Sequence, residues 1–118
     1  MTSLPAKMNT EKPLAAEASH ARDLQDKIIA AVAGFYRIGI AAMKRRTRKA
    51  DIAVPRQIAV YLIRDMTGLS YPALGRLFGF DHSTAIHAYK KISRNRSADA
   101  GLDNDIRQIA DLIRRETV

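Results

Sequence analysis

Four hydrogen-bonding residues stand in a row at Asp81, His82, Ser83 and Thr84, with His87, Lys90 and Lys91 soon after. Carboxylate, imidazole and hydroxyl groups suit nucleophilic catalysis, metal binding, or hydrogen bonding to the edges of nucleic-acid bases. Catalysis needs a base behind the hydroxyl and a third group that orients the base. Ser83 and Thr84 neighbour histidines, but adjacent residues on a helix point apart, and no carboxylate stands behind them. His82 and His87 are five residues apart, so they do not share one helix face, and the chain has neither a cysteine nor an HExxH pair. No glycine is followed by the Lys-Ser or Lys-Thr of a phosphate loop, so nothing predicts ATP hydrolysis. The expectation is a protein without catalytic residues, metal or cofactor, whose polar row meets base edges.

The row needs elements to hold it. Leu74, Leu77 and Phe78 recur at helical spacing over Tyr71 to Phe78, with Pro72 in the first turn where its missing N–H costs nothing. Gly79 can end that helix with a positive φ, and the Asp81 side chain can cap the next. Beyond it, Ala85, Ile86, Tyr89 and Ile92 form an inward stripe that leaves His82, Ser83, Thr84, His87, Lys90 and Lys91 outward. Two helices, a short turn and a polar helix start make a helix-turn-helix, whose second helix reads the major groove in DNA-binding proteins. The same pattern also serves as plain packing in small helical proteins, so charge has to separate the two readings.

The chain carries a net charge of +8, which favours an anionic partner, nucleic acid first. The densest charge is Lys44-Arg45-Arg46-Thr47-Arg48-Lys49, between two expected helices. It reads either as a solvated loop or as a segment that grips phosphate and sends an arginine into a narrow minor groove. With 118 residues, 47% of them hydrophobic, there is material for one modest core. No apolar run would span a membrane and no secretory signal is visible, so a cytoplasmic, nucleoid-associated protein is expected.

Residues 1–18 show no period and are expected to be a flexible lead, with one domain over residues 19–118. Ser19 is placed to cap a long helix carrying Leu24, Ile28, Ala31 and Phe35 on one stripe and Ile29, Val32 and Tyr36 beside it. Gly39 marks a bend before a short helix. Pro55 is expected to open the next helix, to Met66, with Ile58, Ala59, Leu62, Ile63 and Met66 inward; Gly68 stops it and Ser70 caps the hairpin. Ser93 to Gly101 reads as a polar connection to a last helix bearing Leu102, Ile106, Ile109 and Ile113. The fold class is all-α, a compact bundle of about six helices.

The stretch PRQIAVYLIRDMTGLSYPALGRLFGFDHSTAIHAYKKI, Pro55 to Ile92, resembles the C-terminal DNA-binding domain of the bacterial replication initiator DnaA. The resemblance is dense there and looser from Leu24 to Val118. It implies a Trp-repressor-like helix bundle that reads a short duplex element, the DnaA box. Asp81, His82, Ser83 and Thr84 fall on the signature that enters the major groove. Arg56, Gln57, Arg64 and His87 fall on backbone-contacting positions, Tyr71 and Pro72 on the hairpin start that lies against DNA, and Lys90 follows on the same helix. Arg45, Arg46 and Arg48 belong to the loop whose arginine reaches the minor groove. Three departures stand out: a longer loop from Lys49 to Val54, Gly79-Phe80 where the family has Gly-Gly-Arg, and Ser83 in place of a threonine.

The resemblance implies double-stranded DNA as partner, bound by a monomer at DnaA-box-like sites, with replication-initiation proteins as further partners. The initiator's ATPase module is not in this sequence, so the expected role is regulation of replication or transcription. The competing expectation is a protein-interaction module acting on the initiator or its ATPase-type regulator, motivated by an exposed Phe80.

Overall fold

In a computed structural model, residues 15–44 and 50–117 are described. They form six helices: α1 (Ala15–Tyr36), α2 (Ile40–Lys44), α3 (Ala50–Thr67), α4 (Tyr71–Phe78), α5 (His82–Ala98) and α6 (Ala100–Thr117). No strand occurs among the described residues. Residues 1–14 of the expected lead and the arginines at 45, 46 and 48 lie outside the described residues, so the readings placed on them do too, whereas residues 15–18, expected to be flexible, are the first turn of α1.

Helix α3 is the axis of the molecule, packing against α1, α2, α4 and α5, while α6 closes the bundle against α1 and α5. Six consecutive residues of α3, Ile58 to Ile63, are buried. A helix buried on every side has no polar stripe. That is why Val60 and Tyr61, absent from the expected inward set, join the core. Ile28, Ile29, Val32 and Ala33 of α1, Met43 of α2, Leu74 and Phe78 of α4, Ala85, Ala88 and Ile92 of α5, and Ile106, Ile109, Ala110 and Ile113 of α6 complete it. Each large aliphatic side chain buried this way contributes roughly 1.5–3 kcal/mol.

Four boundaries differ from the sequence expectation, each for a local reason. Helix α1 begins at Ala15, which places Ser19 inside it and not at its cap. It ends before Gly39: Arg37 takes φ 59°, its N–H donates to the Gly34 carbonyl at 3.3 Å, and the Ile38 N–H donates to the Ala33 carbonyl at 2.9 Å. This pair of bonds is a Schellman ending with arginine where glycine is usual. Helix α3 starts at Ala50, so Pro55 is internal and the expected loop up to Val54 is helical. Asp51 in the first turn suits the helix dipole, while Pro55 inside the helix leaves the Asp51 carbonyl without its N–H donor and brings the proline ring against it. Helix α5 continues through the expected polar connection to Ala98. Asp99 alone joins it to α6, its Oδ1 accepting from the Leu102 N–H at 3.1 Å.

Candidate nucleic-acid interface

The helix-turn-helix consists of α4, a three-residue turn and α5. Ser70 caps α4 by accepting from the Ala73 N–H at 3.3 Å, and Pro72 sits in the first turn. Gly68 and Gly79 both take positive φ, 72° and 78°, where their helices end. At Gly75 the backbone of the turn comes against α4: the Phe80 N–H donates to the Gly75 carbonyl at 2.9 Å, and a Cβ on Gly75 would collide with the Phe80 carbonyl oxygen. A glycine here lets α5 start close enough for Ala85 and Ala88 to bury against the core.

Asp81 caps α5. Its Oδ1 accepts from the Thr84 N–H at 3.0 Å and from the Thr84 hydroxyl at 2.8 Å. The cap therefore fixes the Thr84 rotamer and commits its hydroxyl proton, leaving the oxygen's lone pairs and the methyl group for anything that docks. His82, Ser83 and Thr84 are exposed on the first turn of α5, and His87 and Lys90 are exposed further along it. Asp81 is thus a positioning group as well as a polar surface residue.

The remaining candidates fall into two groups. Arg56 and Gln57 of α3 face Thr84, His87 and Ala88 of α5 across a cavity of about 260 Å³, with Phe80 forming part of its wall. Arg56 is only 8% exposed, and burial pulls its pKa below the usual guanidinium value. Phe80 is half-buried and stacks on Phe78 with ring centres 5.9 Å apart, so it is not the open protein-docking residue expected. At the other end of the hairpin, the Arg64 guanidinium lies 4.4 Å from the Tyr71 ring centre while its Nη1 donates to the Leu69 carbonyl at 2.9 Å. Arg64 thereby closes the end of α3 and stacks on the residue that opens α4. Pro72 is exposed beside it.

Sequence reasoning missed the brace behind this surface. Tyr89 of α5 stacks on Tyr61 of α3 at 5.0 Å and meets Tyr71 edge-on at 6.2 Å. Arg96 of α5 donates to the Tyr61 hydroxyl at 3.0 Å and to Asp103 of α6 at 2.6 Å. Burial pulls the Arg96 pKa down, but these two bonds outweigh it and leave the pKa raised. The seven-residue spacing of Tyr89 and Arg96 puts them on one face of α5, a signal that shows only because the helix runs on to Ala98 through the polar stretch.

Among the described residues, no helix is long and apolar enough to cross a membrane, and no cluster of three or more acidic or histidine side chains is arranged to hold a metal.

The family model for the bacterial dnaA protein helix-turn-helix matches residues 25–92. Chromosomal replication initiator protein DnaA of Burkholderia multivorans is 49% identical over 76 residues, which covers 64% of this chain and 14% of that protein. The proteins of the same name from Burkholderia cenocepacia and Burkholderia ambifaria match to the same extent. The chain thus spans about 14% of the length of these curated relatives.

Proposed function

Since the chain belongs to the bacterial dnaA protein helix-turn-helix family, we propose that it binds double-stranded DNA sequence-specifically at DnaA-box-like elements. The observation that carries this reading is the exposed polar first turn of α5, in which the Asp81 cap fixes Thr84, backed by a short turn. With α5 in the major groove, His82, Ser83 and Thr84 meet base edges, and Asp81 holds Thr84 in place. The Thr84 methyl and lone pairs suit a thymine methyl or an exocyclic amino group. Arg56, Gln57, His87 and Lys90 flank this turn, and Arg64 with Tyr71 and Pro72 present the hairpin start to the backbone. Arg45, Arg46 and Arg48 supply the phosphate and minor-groove contacts. This reading places the protein in regulation of replication initiation through occupancy of such elements.

The test is a gel-shift titration of the purified protein against a DnaA-box duplex and a scrambled duplex of the same composition, with and without ATP. The box should bind about 10³-fold tighter or better, and ATP should change nothing, because groove reading by side chains needs no nucleotide. His82→Ala should shrink the ratio by about tenfold while binding to the scrambled duplex stays put. Equal affinity for both duplexes would reject sequence-specific binding.

A further inference from the structure

Helix α5 is basic beyond its reading turn: from His82 to Ala98 it carries Lys90, Lys91, Arg94 and Arg96 and no acidic residue. Ser83, His87, Lys90 and Arg94 follow at steps of four, three and four, so they form one stripe, and all four are exposed. Ala85, Ala88 and Ile92 bury the opposite side. The first three residues of the stripe belong to the proposed interface, and Arg94 continues it past residue 92, where the family match ends. Other arginines of α5 and α6 are engaged within the protein: Arg96 and Arg107 pair with Asp103 at 2.6 and 2.8 Å, and Arg114 pairs with Asp111 at 3.5 Å. Arg94 has no ion pair or hydrogen bond from its side chain among the described residues. The helix dipole does not call for it either, since Arg96 already supplies the cation of the last turn.

We infer that Arg94 grips a phosphate of the DNA backbone where α5 leaves the major groove, an inference that rests on the proposed duplex reading. At about 1.5 Å per residue, Arg94 stands about 16 Å along the helix axis from Ser83, farther than the roughly 12 Å width of the major groove. With the first turn of α5 among the base edges, the Arg94 end has reached the backbone that walls the groove, as the far end of the recognition helix does in homeodomains. A guanidinium there offers phosphate a fork of N–H donors and breaks no bond inside the protein to do so. The contact adds affinity and fixes register, and it carries no sequence information of its own.

The experiment sets Arg94→Gln against Arg115→Gln. Arg115 is also exposed and also lacks a partner among the described residues, but it stands on α6, outside the hairpin, so the two variants lose the same charge at different places. Neither breaks a bond, and both should melt with the wild type, which a thermal scan checks. Affinities for box and scrambled duplexes are then measured across a salt series. Arg94→Gln should weaken both duplexes by the same factor and make the slope of log affinity against log salt shallower by about 1, while Arg115→Gln leaves the slope where it was. A second series replaces single phosphates of the box duplex by uncharged methylphosphonate. At one phosphate the replacement should weaken the wild type and add nothing to the loss already present in Arg94→Gln. If the two variants change the slope alike, or neither changes it, Arg94 acts through net charge at most and the inference is overturned. It is also overturned if Arg94→Gln narrows the gap between box and scrambled duplexes at an unchanged slope, which would make Arg94 a reader of bases. The two readings fail on different quantities: box recognition on the ratio between duplexes, the Arg94 contact on the slope.

Discussion

At the scale of single residues, two glycines show opposite demands. Gly75 faces backbone: an added methyl group would meet the Phe80 carbonyl oxygen and come within 3.1 Å of the Asp81 carbonyl carbon, neither of which can swing aside as a side chain can. Gly75→Ala should therefore cost about 1–3 kcal/mol through forced displacement of the turn, and it should weaken box binding because α5 moves with the turn. Gly34, exposed in α1, has nothing within 4 Å of an added Cβ. Gly34→Ala should raise stability by about 0.5–1 kcal/mol and leave DNA binding unchanged. Urea denaturation of both variants checks the pair, and a similar response at the two sites would remove the argument for a close backbone approach at Gly75. Both glycines look alike in the sequence; only the crossing of α4 by the turn separates them.

At the scale of elements, the start of α5 links stability to recognition. Asp81→Ala should lower stability by about 1 kcal/mol through loss of the cap. It should also release the Thr84 hydroxyl from its bond to Asp81, so the preference among duplex sequences should fall even where the protein remains folded. Asp81→Asn keeps a capping oxygen and should restore most of the stability. Thermal melts read the first effect and the ratio of box to scrambled affinity reads the second. If Asp81→Ala loses stability but keeps the full ratio, the Asp81–Thr84 bond has no part in reading. The caps at Ser70, Gly79 and Asp81 were legible because capping depends on residues within three or four positions of each other. The Arg37 ending was not, since an arginine at φ 59° has no compositional signal.

At the scale of the whole molecule, Arg96 ties three helices together through Tyr61 of α3 and Asp103 of α6. The hydrogen bond from Arg96, reinforced by Arg107 beside it, holds the Asp103 carboxyl below the usual carboxylate pKa. A depressed folded-state pKa contributes stability that is present above the ordinary carboxylate value and is lost as pH falls through the folded value. Stability measured against pH should therefore decline on the acid side, and Asp103→Asn should flatten that decline; an unchanged acid limb in the variant would show that Asp103 is not a source of it. A second whole-molecule property is the charge of +8. If about six phosphates are contacted, the logarithm of the binding constant should fall against the logarithm of salt concentration with a slope near −5. A slope near zero would mean that the cationic surface does not meet the DNA backbone.

The sequence by itself determined the helical class, the hairpin with its caps, the outward polar row at the start of α5 and the family to which the chain belongs. All of these follow from short-range spacing, and from side chains whose capping or burial preference is strong enough to act alone. Tertiary structure decided that Ile58 to Ile63 of α3 are buried all round, that Phe80 packs onto Phe78, that Tyr61, Tyr89 and Arg96 brace α5, and that Arg56 and Gln57 share a cavity with Thr84 and His87. These depend on which surfaces of separate helices come together, and no periodicity within one helix carries that information.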